Sequence, residues 1–253
     1  MLGADVEIGP FCAVGREAKL GDGVRLLSHV VVSGKTAIGP RTVVHPQAVL
    51  GGEGQIRKND FAEGRLVIGA DCVIREGTTM SVGSRLGRGT TTVGDNGYFM
   101  AFSHLGHDCL VGDEVTFANG AVLGGHAEIG QGAMLGGLSA VQQRVRIGKG
   151  AMIGGMTGAN TDVIPYGMAT GDHAVLNGLN IVGLKRRGLS REAIHAMRAA
   201  FRAIFLGDAG SLFDRARRAQ EQWRDVPQVQ EMVAFILAPS HHGLCIARGR
   251  DAA

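Results

Sequence analysis

One interval governs most of this chain: an apolar residue recurs at every sixth position. The interval holds from Ile8 to Leu50 and again, without interruption, from Val93 to Ile153. Six residues match neither the 3.6-residue period of an amphipathic helix nor the two-residue alternation of an ordinary strand. They match a parallel β-helix, in which three short strands form one triangular coil and each strand points one apolar side chain inward. The spacing therefore predicts coils of about 18 residues with equivalent side chains stacked from coil to coil.

The composition agrees with such a fold and excludes several functions. Forty-one of the 253 residues are glycine, which suits a chain that turns many tight corners. The net charge of +3 is too mild to indicate nucleic-acid binding. Four cysteines without a CxxC pair predict free thiols in a reducing compartment, and neither a signal peptide nor an apolar run of membrane-spanning length occurs. We therefore expect a cytoplasmic protein without a membrane span.

The repeat has two interruptions and an irregular start. Residues 51–64 and 84–92 break the register, and a loop ejected from a regular coil is usually functional or disordered. The repeat also starts in mid-register at Met1, from which we expect that the chain lacks part of its first coil. Each break leaves the later apolar positions in their six-residue spacing, so the array continues around it.

From Ser190 onward the composition changes to that of α-helices. Ser190 precedes Arg191 and Glu192 as a helix N-cap would, and apolar residues then recur at helical spacing. Further helices are predicted at about 211–223 and 226–238. The fold class is thus mainly β: a parallel β-helix domain over residues 1–188, followed by a helical domain over residues 189–253. Flat β-helix sides favour packing of three copies around an axis.

The most chemically loaded hexapeptide in the array is Ser103–Asp108, which contains His104 and His107. A neutral imidazole is suited to removing a proton from a hydroxyl, although a surface or interface histidine is the plainer interpretation of His107. Asp108 reaches His107 only if the pair lies at a turn, because neighbouring strand residues point to opposite sides. His126 follows His107 by one coil and one residue, so the two rings are expected to share a cleft. Three such histidines are also compatible with zinc.

Two further features have both a functional and a structural interpretation. Gly125 lies 18 residues after His107, and its backbone N–H is accessible to an oxyanion, but a purely structural role is common for a glycine. Lys185, Arg186 and Arg187 stand together where the two domains meet. They are suited either to clamping a diphosphate or to forming a solvated hinge.

Three motifs together resemble the UDP-N-acetylglucosamine O-acyltransferases of lipid A biosynthesis. They are His-x-x-His-Asp-Cys at 104–109, Gly-Gly-His at 124–126 and Gly-Leu-Lys-Arg-Arg-Gly at 183–188. The resemblance implies a left-handed parallel β-helix, a homotrimer with active sites between subunits, and no metal or cofactor. It also implies transfer of an (R)-3-hydroxyacyl chain from acyl carrier protein to the 3-hydroxyl of UDP-N-acetylglucosamine, the first step of lipid A synthesis.

The resemblance also implies roles for individual residues. It makes His107 the general base, Asp108 its paired carboxylate and Gly125 the oxyanion donor, and it gives Gly155 control of acyl length. The positions that match contacts to the sugar nucleotide or the acyl chain are Gln55, Lys58, His104, His126, Gln143, Gly155, His173, Asn180, Arg186 and Arg187.

The chain departs from the family pattern near the sugar site, and this keeps alternatives open. Ile56, Ser81, Gln142 and Val182 stand where the family has an aspartate, two histidines and a glutamate. An acyltransferase for a related UDP-amino sugar, such as the 3-amino analogue, is therefore a second hypothesis. A zinc enzyme of the γ-carbonic-anhydrase type and a non-catalytic hexapeptide scaffold are hypotheses from other classes.

Overall fold

The computed structural model describes residues 1–57 and 61–247. The strands in chain order are β1 Glu7–Ile8, β2 Ala13–Val14, β3 Lys19–Leu20, β4 Arg25–Leu26, β5 Val31–Val32, β6 Lys35–Ile38, β7 Val43–Val44, β8 Val49–Gly52, β9 Arg65–Ile68, β10 Val73–Ile74, β11 Thr79–Ser81, β12 Thr90–Val93, β13 Tyr98–Phe99, β14 His104–Leu105, β15 Leu110–Val111, β16 Thr116–Phe117, β17 Val122–Leu123, β18 Glu128–Ile129, β19 Met134–Leu135, β20 Ala140–Val141, β21 Arg146–Ile147, β22 Met152–Ile153, β23 Gly158–Ala159, β24 Gly167–Thr170 and β25 Val175–Leu179. The helices are α1 Ile181–Arg186, α2 Arg191–Phe205, α3 Leu212–Gln222 and α4 Pro227–Leu237.

The strands form three sheets, which are the walls of a left-handed parallel β-helix. Sheet 1 has the order β1-β4-β7-β10-β13-β16-β19-β22-β24-β25, and sheet 2 the order β2-β5-β8-β11-β14-β17-β20-β23. Sheet 3 has the order β21-β18-β15-β12-β9-β6-β3. From β1 to β23 the chain visits sheets 1, 2 and 3 in turn, so each of these strands pairs in parallel with the strand one coil away. The fold predicted from the six-residue interval is confirmed.

The interior of the β-helix is made of the periodic apolar residues. Leu105, Leu123 and Val141 succeed one another in sheet 2 and are almost wholly buried, while their strand neighbours His104, Val122 and Ala140 face outward. This alternation is the ordinary consequence of strand geometry, in which consecutive side chains point to opposite faces. The sequence pattern therefore specifies which residue of each pair packs inside.

Each coil turns three corners, which we name by the sheets that they join: corner 1–2, corner 2–3 and corner 3–1. The third of the four residues in a corner commonly has a left-handed backbone, as in Phe102 (φ +61°), Asp108 (φ +60°) and Glu114 (φ +57°) of one coil. Corner residues of successive coils are linked by backbone hydrogen bonds, for example from His126 N–H to His107 O at 2.9 Å. The corners therefore form three straight columns along the β-helix.

The array ends in a short segment that its periodicity does not predict. β24 and β25 pair antiparallel, and Asn180 then caps α1 by accepting a hydrogen bond from Gly183 N–H at 2.9 Å. The Asn180 side chain also donates to Gly150 O at 3.1 Å, which fastens α1 to corner 3–1. No helix in residues 1–57 and 61–247 is long and apolar enough to cross a membrane.

The last three helices follow the sequence prediction closely. Ser190 caps α2 and Ser211 caps α3, the latter in a reciprocal capping box with Asp214. α4 packs against the β-helix at sheet 3, where the Arg146 guanidinium lies 4.4 Å from the centre of the Phe235 ring. Helical residues thus cover the outside of sheet 3 near the end of the array.

Candidate active site

His107 and Asp108 form a buried pair at corner 2–3. His107 is 6% exposed and Asp108 is fully buried, and His107 Nδ1 lies 2.7 Å from Asp108 Oδ2. The two side chains meet because the left-handed backbone of Asp108 turns the chain between them. The turn that the sequence argument requires is therefore present, and the predicted pairing is confirmed.

The Asp108 carboxylate is held by a loop from the preceding coil. Ser84 Oγ donates to Asp108 Oδ2 at 2.7 Å, Ser84 N–H lies 3.1 Å from both oxygens, and Gly89 N–H donates to Oδ1 at 2.9 Å. Burial raises the pKa of Asp108, but the hydrogen bonds from His107 and Ser84 outweigh it and hold the pKa below its ordinary value. Asp108 is therefore ionised at neutral pH and accepts a hydrogen bond from His107 Nδ1–H.

Sequence reasoning did not identify this loop as part of the site. Its only signal is the break in the six-residue register at 84–92, because the Ser84–Asp108 contact spans 24 residues and does not follow the 18-residue coil. Ser84 is 1% exposed and its hydroxyl points at the carboxylate. We therefore regard Ser84 as a positioning residue for the His107–Asp108 pair.

Gly125 and His126 lie one coil beyond this pair. The His126 ring is perpendicular to that of His107, with 4.9 Å between their centres, as their spacing predicts. A Cβ atom on Gly125 would lie 2.2 Å from His107 Nε2, so only glycine leaves this face of the imidazole open. Burial lowers the pKa of His126, which keeps its ring neutral at pH 7.

His104 faces outward from sheet 2 beside the same corner. Its Nδ1 lies 2.7 Å from Thr79 Oγ1 in the preceding coil, and burial lowers the pKa of the ring. Cys109, which follows the dyad, points into the core, and burial raises the pKa of its thiol to about 12. A protonated buried thiol is not a nucleophile, so Cys109 is not a candidate reacting group.

The loop that leaves the coil after β8 passes close to the His107 side chain. A Cβ on Gly54 would lie 3.0 Å from His107 Cβ, and the Phe61 ring stands edge-on to the His107 ring at 6.1 Å. Gln55 is exposed at the start of this loop, and Lys58 lies outside the described residues. The loop therefore walls one side of the imidazole.

His107, Asp108 and His126 also satisfy the distance criterion for a metal site, since their ligand atoms lie within 4.8 Å of one another. Their hydrogen bonds fit proton transfer better than metal binding. Both Asp108 oxygens already accept hydrogen bonds, and His107 Nδ1 is engaged with the carboxylate. His104 is not part of this group, so the three histidines do not converge on one point.

A second group of predicted residues lies at a different corner. Asn180, Arg186 and Arg187 line a cavity of about 740 Å³ on the outside of sheet 1 near corner 3–1, together with Met134 and Met152. One nitrogen of Arg187 donates to Gly132 O at 2.6 Å. Sheet 3 separates this cavity from corner 2–3, so one chain does not bring these cations to His107.

The remaining predicted residues are dispersed along the β-helix. Gln143 is exposed at corner 2–3, one coil beyond Gly125. Gly155 is exposed at corner 1–2, where an added Cβ would meet Gly137 O only at 3.4 Å. His173 is exposed at a bridge to Gly158 and does not line the cavity that contains Asn180.

Comparison with known proteins points to one family. A family profile described as UDP N-acetylglucosamine O-acyltransferase, domain 2, matches residues 162–245. The acyl-[acyl-carrier-protein]–UDP-N-acetylglucosamine O-acyltransferase of Sinorhizobium fredii is 45% identical over 96% of this chain and 90% of its own length. The enzyme of the same description from Caulobacter vibrioides is 48% identical over 91% of this chain and 87% of its own.

Solved structures agree in fold and in extent. The UDP-N-acetylglucosamine acyltransferase from Campylobacter jejuni superposes with a TM-score of 0.92 at 33% identity, covering 98% of this chain and 95% of the other. The similarity thus includes both the β-helix and the helices that follow it. This chain belongs to the family of acyl-[acyl-carrier-protein]–UDP-N-acetylglucosamine O-acyltransferases.

Proposed function

We propose that this protein transfers an (R)-3-hydroxyacyl chain from acyl carrier protein to the 3-hydroxyl of UDP-N-acetylglucosamine, the first step of lipid A biosynthesis. The observation that carries the proposal is the buried His107–Asp108 pair, with Nε2 of the imidazole turned toward Gly125. Family membership supports the choice of substrates, and the geometry supports the choice of reacting groups.

The dyad suits His107 to act as the general base. Ionised Asp108 fixes the proton on Nδ1, so the free electron pair of the imidazole is on Nε2. Nε2 removes the proton of the sugar 3-hydroxyl, and the oxygen attacks the carbonyl carbon of the acyl thioester. When the carbon–sulfur bond breaks, the protonated His107 gives this proton to the leaving thiolate, which departs as the thiol of acyl carrier protein.

Gly125 is proposed to stabilise the negative charge that forms on the thioester oxygen. Within residues 1–57 and 61–247 its N–H donates no hydrogen bond, and it lies beside His107 Nε2. A backbone N–H that is already in place costs no reorganisation when the charge develops. The same glycine therefore provides both access to the base and the oxyanion donor.

The acyl chain is proposed to follow the outside of sheet 2. His104, Val122, Ala140 and Gly158 are register partners on successive strands, which gives a column of mostly small or apolar side chains. With strands spaced at about 4.8 Å, the column runs for about 14 Å beyond His104. Gly155 lies near its far end, where a larger side chain would shorten the groove.

We propose that the nucleotide of the acceptor occupies the cavity at corner 3–1. Arg186 and Arg187 provide cations for a diphosphate, and Asn180 orients α1, which carries Arg186. Because this cavity is separated from His107 within one chain, the proposal requires that the two parts of a site come from two copies.

A homotrimer of parallel β-helices meets that requirement. Corner 1–2 carries four exposed apolar side chains, Phe11, Phe102, Leu138 and Met156, which are 67–79% exposed in the single chain. If this corner faces the three-fold axis, sheet 2 of one copy packs on sheet 1 of the next. Corner 2–3 of the first then lies beside corner 3–1 of the second, which places His107 next to the neighbouring cavity.

Three less detailed statements complete the proposal. Exposed arginines on α2 and α3 offer a surface for acidic acyl carrier protein. The four free thiols support a cytoplasmic location. The change from strands and the short α1 to the three longer helices supports a division into residues 1–188 and 189–253.

An acyl-transfer assay with purified protein tests the proposed function. The donors are (R)-3-hydroxyacyl carrier proteins of several lengths, and the acceptors are UDP-N-acetylglucosamine and its 3-amino analogue. Transfer to the hydroxyl acceptor should fall by about three orders of magnitude in His107→Ala. Transfer to the amino acceptor alone would keep the mechanism and change the product, and absence of transfer to both would refute the proposal.

A further inference from the structure

A cavity separate from the His107–Asp108 pair lies on the other side of the His126 ring. It has a volume of about 460 Å³ and lies between corner 2–3 and residues 238–241, which follow α4. We call it the basic cavity, because Arg88, Arg144 and Arg146 line it together with His241. None of these residues has a role in the function proposed above.

The arginines of the basic cavity differ in how far their charges are already used. Arg88 pairs with Glu128, which also lines the cavity, and Arg146 donates to the buried Asp162 carboxylate at 2.8 Å. Arg144 is exposed and, among the described residues, makes no ion pair or side-chain hydrogen bond. The cavity therefore has one guanidinium that is free to bind an anion.

Arg144 also stands in register with the reacting groups. Asp108, His126 and Arg144 occupy the same position of three successive coils, and each has a left-handed backbone with φ between +60° and +64°. Arg144 N–H donates to Gly125 O at 3.0 Å. At about 4.8 Å a coil, its backbone is about 10 Å from that of Asp108. The positive charges of Arg144 and Arg88 reach His126, since both lower the pKa of its ring after the larger effect of burial.

We infer that the basic cavity binds the phosphate of the acyl donor's phosphopantetheine arm, with Arg144 as the principal ligand. The inference rests on the proposed function, in which the thioester of that arm lies at His107. The arm is roughly as long as four peptide units, about 14 Å, so it spans the distance from the thioester to the Arg144 side chain. A guanidinium matches a phosphate in both charge and hydrogen-bond geometry.

Truncated donors test this assignment. We would compare a 3-hydroxyacyl-4′-phosphopantetheine with the same acyl-pantetheine, which lacks only the phosphate, in the wild type and in Arg144→Gln. Removal of the phosphate should lower kcat/KM about tenfold in the wild type. In Arg144→Gln, kcat/KM for the phosphate-free donor should stay within about twofold of its value for the phosphorylated donor. Gln47 occupies the same left-handed conformation (φ +65°) elsewhere in the β-helix, so glutamine is compatible with the backbone of residue 144.

The control variant is Arg16→Gln, which removes an exposed positive charge far along the β-helix and should keep the full wild-type response. An equal response to the phosphate in the wild type and in Arg144→Gln would overturn the inference. A rise of KM for the UDP-sugar alone would also overturn it, since the anion bound by Arg144 would then be the acceptor's diphosphate.

Calorimetric titration separates this inference from the proposed function, because it needs no turnover. Free 4′-phosphopantetheine should bind the wild type more tightly than pantetheine does, and Arg144→Gln should abolish the difference. If neither donor supports transfer but this difference in binding is seen, the cavity assignment stands and the proposed reaction fails. If transfer occurs but the two ligands bind equally, the reaction stands and the cavity assignment fails.

Discussion

Corner 2–3 and corner 1–2 use the same turn, yet they present opposite chemistry to the outside. Asp108 and His126 at corner 2–3 have φ angles of +60° and +61°, and Leu138 and Met156 at corner 1–2 have +57° and +56°. The backbone is therefore nearly identical at the two columns. Asp108 is buried and His126 half-buried in the first column, whereas Leu138 and Met156 are exposed in the second.

The difference shows how a repetitive fold acquires a specific site. Inward positions must be apolar in every coil, because each stacks on its equivalent in the next coil. The third residue of each corner lies outside this stack and carries no such constraint, so its chemistry can differ from one column to another. Corner 2–3 carries the candidate active site, and corner 1–2 carries an apolar edge that we propose contacts other copies.

The largest effect is expected from one substitution made at both corners. In Gly125→Ala the new Cβ would lie 2.2 Å from His107 Nε2, whereas in Gly137→Ala it would meet its nearest neighbour, Asn119 O, at 3.5 Å. We expect kcat to fall about 10²- to 10³-fold in Gly125→Ala. Gly137→Ala should stay within about twofold of the wild type.

Thermal unfolding distinguishes a local clash from a damaged fold in this pair. Neither Gly125 nor Gly137 has a left-handed backbone, so alanine is conformationally allowed at both positions. Both variants should therefore unfold at nearly the wild-type temperature. Equal losses of activity in the two variants would mean that corner 2–3 has no special role in the reaction.

The next effect concerns assembly. Leu138→Asp places a carboxylate on the apolar edge, and desolvation of an unpaired charge in an apolar contact costs several kcal/mol. If the proposed trimer forms, Leu138→Asp should dissociate it to a 26.4 kDa monomer in sedimentation velocity, with activity lost in parallel. Leu206→Asp, at an exposed leucine after α2, is the control and should remain trimeric. A fully active monomer would refute a site shared between copies.

The inside of the molecule could be predicted from sequence much further than its outside. Inward residues such as Leu105 follow one fixed interval, and helix starts such as Ser190 have a local capping signal. The antiparallel pair β24–β25 was missed because residues 160–180 do not keep the six-residue interval, and α1 was missed because, although Asn180 caps it, it is only six residues long. The support of Asp108 by Ser84 was missed because it joins different coils through an ejected loop.

The predicted site residues divide in the same way. His107, Asp108, Gly125 and His126 could be grouped from their spacing, since residues about one coil apart are neighbours at the same corner. The proposed grouping of corner 2–3 with Arg186 of a second chain could not be predicted from the six-residue interval. The six-residue interval predicts contacts within one chain. It does not predict which corners of two chains lie next to each other.

The smallest expected effect concerns the hydrogen bond that holds the Asp108 carboxylate at corner 2–3. Ser84→Ala removes a hydroxyl that donates to Asp108 at 2.7 Å, and we expect kcat to fall about tenfold because His107 is then less well oriented. Ser103→Ala is the matched control: Ser103 is equally buried, and its hydroxyl lies 3.1 Å from that of Thr78, away from the dyad. It should leave kcat within about twofold of the wild type.

The way in which the loss of thermal stability in Ser84→Ala depends on pH tests the same hydrogen bond. Since the Ser84 hydrogen bond lowers the pKa of Asp108, its removal should raise that pKa toward the ordinary value of 3.8. A carboxylate with a depressed pKa stabilises the fold above its ordinary pKa, and this stabilisation is lost as the pH falls through the folded value. The Tm deficit of Ser84→Ala should therefore be complete above pH 4 and shrink at lower pH. A deficit that is independent of pH would mean that Ser84 acts only through packing and does not position the dyad.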